Sequence, residues 1–223
     1  MMTMEMVWSW DTTEQIAPSI VDYWKAGGWP LLPLGIVALI LFCRYFLIRD
    51  ELNRALSTPD AAMGELEKAV SEGGDLQGVY REAGRWSGAV ARIVRHTAAR
   101  MQAGLPFRSA FKQCREAELA RFSDSFVVLA GIVAAAPLLG LLGTVLGMVE
   151  TFEAVGQGAA DGADSVADGI SKALLTTQAG LAVAVPGTFA LAHLRRKLRS
   201  LRNKIDRCES HLNVIFETRQ GPE

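Results

Sequence analysis

The sequence predicts an all-α, polytopic membrane protein with three transmembrane helices and long cytoplasmic helical extensions. Residues 29–48 carry one charge, residues 126–149 carry none, and residues 173–194 hold no Asp, Glu, Lys or Arg. Each stretch is long enough to cross about 30 Å of hydrocarbon at about 1.5 Å per residue, whereas a buried helix of a soluble protein seldom stays uncharged for so long. The cations are also polarised: 20 of the 23 Lys and Arg lie between Arg49 and Arg121 or after His193. Cationic loops next to membrane segments tend to stay in the cytoplasm, so the long loop and the tail are expected inside. Three spans alternate sides, which puts the N-terminus and the second connection on the outer face. This distribution argues against a soluble enzyme, and a net charge of -1 leaves no cationic excess for general nucleic-acid binding.

The elements follow in order. Residues 1–28 lack the basic start and apolar stretch of a cleavable leader, so the first span reads as the targeting signal. Asp11 followed by Glu14 resembles a capping box, and Thr12 to Ala26 suits a short helix before Gly27, Gly28 and Pro30. Trp8, Trp10, Tyr23, Trp24 and Trp29 crowd this end, as aromatics do at a membrane interface. The segment reads as a periplasmic interfacial helix, the alternative being a loosely ordered tail. The first span, residues 29–48, contains Arg44, whose stem can snorkel to the headgroups.

The cytoplasmic loop, residues 49–125, divides at its breakers into helical stretches Asp50–Leu56, Pro59–Val70 and Gln77–Arg100. Pro106 suits a first helical turn, after which Phe107 to Ser125 runs unbroken into the second span, residues 126–152. Residues 153–169 read as a flexible periplasmic hairpin, residues 170–194 as the third span, and residues 195–223 as a cytoplasmic C-terminal helix with Leu, Ile and Val on a basic background. Helices that project beyond the bilayer need partners for such apolar stripes, within the chain or between subunits.

Enzyme constellations are mostly absent. His96, His193 and His211 have no metal-ligand spacing, no phosphate-binding loop occurs, and Asp161, Asp164 and Asp168 do not match the alternating ligands of a calcium loop. Neither a metal nor a cofactor is expected. Cys43, Cys114 and Cys208 all fall inside or at the inner boundary, where a structural disulfide is not expected.

The informative residues are small and polar ones within the spans. Gly140, Thr144, Gly147 and Thr151 share one helical face, and Ala173, Thr177, Gly180, Ala184 and Thr188 make a comparable stripe with Thr176 beside it. Such faces let two backbones approach closely. With outer ends near Phe152 and Ile170, antiparallel packing puts Thr144 and Thr177 at one level, roughly 10–12 Å below the edge. Their hydroxyls can hold water or orient a carboxyl group from another chain; the alternative is that each back-bonds to its own helix. Neither span carries an ionisable group at that level, and Glu150 near the outer boundary suits an exposed anion as well as a relay.

Two segments, AAAPLLGLLGTVLGMVETF from Ala134 and GISKALLTTQAGLAVAVP from Gly169, resemble the MotA/TolQ/ExbB proton-channel family, most closely its three-span ExbB and TolQ branch. The likeness is strongest over Glu118 to Arg195. It implies a homo-oligomer, a pentamer in the family, surrounding the helix of an ExbD- or TolR-like one-span protein that supplies the membrane aspartate this chain lacks. The family's channel-facing threonines correspond to Thr144 and Thr177, and its motif prolines to Pro137 and Pro186. Lys172 departs from the pattern, because the family commonly has an acid five positions before the second threonine.

The resemblance implies no enzyme. It points to a stator and proton-channel subunit in the bacterial inner membrane, drawing on the proton motive force to energise a TonB-like protein. TolQ-like envelope maintenance is the nearest alternative, and a passive membrane scaffold is a reading from a different class.

Overall fold

The computed structural model describes residues 27–58, 64, 68, 83–156 and 162–220. The expected interfacial helix Thr12–Ala26 and almost all of the expected helix Pro59–Val70 lie outside the described residues. Among these residues the protein is all-helical: α1 is Leu31–Ala55, α2 is Ala89–Gln102, α3 is Phe107–Gly156 and α4 is Gly162–Gln220. α1, α3 and α4 are each long and apolar enough to cross a membrane.

Local chemistry explains the boundaries. Pro30 and Pro33 flank the start of α1, where a missing N–H costs nothing. The helix then continues past the expected first span to Ala55, absorbing the separately expected Asp50–Leu56, with Arg54 pairing back to Asp50 at 2.7 Å. A turn ends it, and Thr58 donates a hydrogen bond to the Ser87 carbonyl at 2.8 Å. Gly88 lies at φ 109°, and a Cβ there would come within 2.9 Å of both the Ala55 carbonyl oxygen and the Thr58 nitrogen. Only glycine suits such a position. The expected stretch Gln77–Arg100 is therefore not one helix: α2 begins at Ala89, after the break spanning Gly84 to Gly88.

α3 starts after Pro106, as the sequence implies, and runs unbroken through Pro137. The hairpin expected at 153–169 is shorter than its glycine and aspartate content suggests. α3 continues to Gly156 and α4 begins at Gly162, where alanines and an Asp168–Lys172 pair at 2.7 Å, four residues apart, support helix.

The chain divides into two compact units, one of residues 1–39 with 134–185, the other of residues 40–133 with 186–223. In the first, Leu31, Leu34, Ala136 and Ala184 form a buried cluster against which Val37, Leu139, Leu175, Ala179 and Val183 pack. In the second, the interior is built of large side chains. Leu41, Leu52, Phe111, Phe122 and Leu129 are buried, and α4 contributes Leu191, Leu194, Leu198, Leu201, Ile205, Cys208 and Leu212, alternately three and four residues apart. That spacing makes one continuous stripe on a long helix, and here the chain itself covers it.

Candidate functional site

The site is built where α3 and α4 run closest together in the first unit. A Cβ on Gly180 would lie 2.9 Å from the Ala136 carbonyl oxygen and 3.1 Å from the Gly140 Cα. One on Gly140 would lie 3.0 Å from the Thr176 carbonyl oxygen and 3.2 Å from the Thr177 Cα. At the hairpin end a Cβ on Gly147 would stand 3.0 Å from the Gly169 carbonyl oxygen. Backbone meets backbone at each of these points, so any side chain would push the helices apart.

This crossing orders the hydroxyls. Thr176 is buried and donates to Ala173 O at 2.9 Å, and its oxygen lies 3.4 Å from Gly140 O. Thr151, also buried, donates to Gly147 O at 2.8 Å. Thr144 and Thr177 are only half-buried, on the edge of the seam rather than within it. Thr144 donates to Leu141 O at 2.7 Å. The Thr177 hydroxyl stands 3.4 Å from two carbonyl oxygens, Gly140 O across the seam and Ala173 O on its own helix.

The two threonines are not level. Thr177 lies beside Gly140, one turn before Thr144 on α3, so they are staggered by about 4–6 Å along the axis. The stripe expected on α4 holds at Ala173, Gly180 and Ala184, which are buried, but its threonines give way to their neighbours. Thr176 is buried where Thr177 is half-buried, and Thr188 is exposed while Gly187, packed in the second unit against Leu41 and Val133, takes the inward place. Pro137 is half-buried and Pro186 is exposed. Within α3 and α4 each proline removes one hydrogen bond to the carbonyl four residues earlier.

Sequence reasoning missed Gly143 and Gly169. A Cβ at Gly143 would fall on the Thr176 side chain, and one at Gly169 on the Thr151 hydroxyl. The signal was present in the alternation Ala173, Thr176, Gly180, Ala184, Gly187 and Leu191, whose three- and four-residue steps mark a packed face better than uniform fours do. Glu118, nine-tenths buried in the second unit between Arg92 and Arg121, was also missed.

A small cavity of about 180 Å³ opens in the first unit beside Gly147, where Glu150, Lys172 and Thr176 reach it together with Gly28 and Pro30. Lys172 is held by Asp168, so the position that departs from the motif carries an ion pair.

Comparison with known proteins places this geometry. The model of a family described as the MotA/TolQ/ExbB proton channel family matches residues 87–207, which includes the whole α3–α4 crossing. A putative biopolymer transport protein, ExbB-like 1 of Synechocystis sp., is 34% identical over 191 residues, covering 80% of this chain and 70% of that protein. A putative biopolymer transport protein ExbB homolog from Methanothermobacter thermautotrophicus is 30% identical over 174 residues, 75% of this chain and 60% of its own. The biopolymer transport protein ExbB of Neisseria gonorrhoeae is 37% identical over 94 residues, 42% of this chain and 43% of that one. With that match and three apolar helices of spanning length, the chain is a multi-pass membrane protein that belongs to the MotA/TolQ/ExbB proton channel family and fits its three-span ExbB branch.

Proposed function

We propose that the chain is an ExbB-like stator and proton-channel subunit of a bacterial inner-membrane motor, coupling the proton motive force to TonB-dependent outer-membrane transport. The observation that supports this most is the pair of half-buried hydroxyls, Thr144 and Thr177, at the edge of a glycine-lined seam between helices that hold no carboxylate at their level. The carboxylate comes from an ExbD-like one-span partner, around which several copies of this chain assemble, five by family resemblance. Gly140, Gly147 and Gly180 keep α3 and α4 close, and Pro137 and Pro186 adjust their backbones.

The two hydroxyls suit different protonation states. Thr144 spends its hydrogen on Leu141 O at 2.7 Å and keeps its lone pairs, so it is an acceptor for a protonated carboxyl or for water. Thr177, at 3.4 Å from both of its carbonyls, is weakly held and can turn to donate to an ionised carboxylate. A proton crossing 100 mV releases about 2.3 kcal/mol, so a few protons match the free energy of rearranging a helical interface. The cation bias supports a periplasmic N-terminus and a cytoplasmic tail.

The test is proton flux in the complex reconstituted with its partner. Valine nearly preserves the shape of threonine and deletes the hydroxyl. Thr144→Val and Thr177→Val should each lower flux about tenfold or more in an assembled complex, with little further loss in the double variant because both act on one step. Unchanged flux in the assembled double variant would reject the role. Orientation is read separately: a membrane-impermeant thiol reagent added from outside should label Glu153→Cys and miss Arg108→Cys.

A further inference from the structure

In the second unit a groove of about 480 Å³ opens between α3 and α4, within the size range of small-molecule sites. Phe126, Val127 and Ala130 line it from α3, and Arg195, Arg199 and Arg202 from α4. The arginines are spaced four and three residues apart, which sets them on one side of the helix. Other arginines of this unit are neutralised: Arg92 by Glu118, Arg115 by Asp206 at 2.6 Å and Arg121 by Glu51 at 3.5 Å. Among the described residues no carboxylate of the chain pairs with Arg195, Arg199 or Arg202. Three like charges at one mouth repel one another, so the groove is built for an anion.

We propose that this groove holds an anionic phospholipid of the surrounding bilayer, its phosphate between Arg195, Arg199 and Arg202 and the start of an acyl chain along Phe126, Val127 and Ala130. The axial order of the lining carries the assignment. Arg195 directly follows the uncharged residues 173–194, which places the guanidinium groups at headgroup level, and Phe126 to Ala130 open the uncharged stretch 126–149. Arginine binds phosphate through paired N–H donors, and basic pockets between spans take acidic headgroups. A water-soluble anion would use the arginines and leave the apolar wall unmatched, whereas a phospholipid meets both ends in the right order.

The test uses the full chain purified in detergent, incubated with equal amounts of phosphatidylglycerol and phosphatidylcholine and read by native mass spectrometry. The chain should retain phosphatidylglycerol over phosphatidylcholine by about tenfold or more, and the Arg195→Gln, Arg199→Gln, Arg202→Gln variant should lose that preference. Ala130→Phe, which fills the groove and leaves every charge in place, should also lose bound lipid, and it keeps the test decisive if the triple variant folds poorly. An equal charge removal at Lys112, Arg196 and Arg207 should leave retention unchanged. Equal loss in that control would reduce the effect to general surface charge and overturn the proposal. So would unchanged retention in both groove variants, displacement by glycerol phosphate as effective as by phosphatidylglycerol, or an acidic protein segment occupying the groove instead.

Discussion

The two units hold their helices together by opposite means. Around Gly140 and Gly180 the α3–α4 contacts are backbone to backbone, and the buried side chains between these two helices are small, with the large buried leucines Leu31 and Leu34 coming from α1. The buried hydroxyls of Thr151 and Thr176 donate to nearby carbonyls. Around Phe111, Phe122 and Leu201 the interior is large and apolar, and its margins carry the pairs Arg92–Glu118, Arg115–Asp206 and Arg121–Glu51. The proposed topology, with the glycine seam in lipid and Phe111, Phe122 and Leu201 in water, accounts for the contrast. Between helices in lipid, burying leucine gains nothing over leaving it in hydrocarbon, so association rests on close approach and hydrogen bonds. Where water bathes the helices, burial of large side chains supplies the driving force and charges can be kept at the edge. One continuous helix such as α4 thus obeys two packing codes along its length.

The largest effect that would break this contrast is expected at the glycines. Gly180→Leu and Gly140→Leu each place a branched side chain where a Cβ alone meets backbone at about 3 Å, and each should destabilise α3–α4 packing by about 3 kcal/mol or more. Thermal unfolding of the purified protein in detergent measures this; a change under 1 kcal/mol would show that the seam opens without resistance. A smaller effect is expected from charge. Glu118→Ala leaves Arg92 without its partner, and because Arg92 remains about one-third exposed the loss should be about 2 kcal/mol, below that of a fully buried pair. Asp50→Asn, which breaks the exposed Arg54 pair, should change stability by less than about 0.5 kcal/mol.

A pH effect that vanishes near neutrality sharpens the second code. Burial, helped by the neighbouring Glu209 charge, pushes the Cys208 thiol up from 9.0 to about 12. The folded state therefore favours the neutral thiol, and the stabilisation is complete below pH 9 and lost as pH rises from 9 toward 12. Cys208→Ala should flatten the fall in melting temperature over that range. At pH 8, alkylation of Cys208 should proceed only through unfolding, since the thiolate is the reactive form.

Much of the fold was legible because membrane spans are written in composition. The three long apolar stretches, with one charge among them, and the absence of a breaker between Phe107 and Ser125 were enough to expect the long helices now seen. Helix ends were less legible. Gly84 to Gly88 interrupts a stretch of helical composition because Gly88 must take a positive φ against Ala55 and Thr58, residues distant in sequence. The hairpin misled in the other direction, since Gly162 to Gly169 reads as a loop by composition while tertiary packing of Thr151 against Gly169 keeps it helical.

At the site, periodicity found Gly140, Gly147 and Gly180, but it could not rank Thr176 against Thr177. Adjacent residues differ by about 100° around a helix, and the seam's direction is set by the partner helix. Glu118 was invisible because its burial depends on Arg92, which belongs to another helix.

The long bonds of Thr177 have a consequence in time. A hydroxyl poised at 3.4 Å from each of two carbonyls exchanges partners by turning one side-chain torsion, a motion of picoseconds to nanoseconds. Close-packed helices, locked at Gly140 and Gly180, rearrange collectively over microseconds to milliseconds. On the proposed proton path through Thr177, an arriving proton would find this hydroxyl already reoriented many times over. If the chain serves in a motor, as proposed, the slower motion of the close-packed helices rather than the turning of this hydroxyl would set its pace.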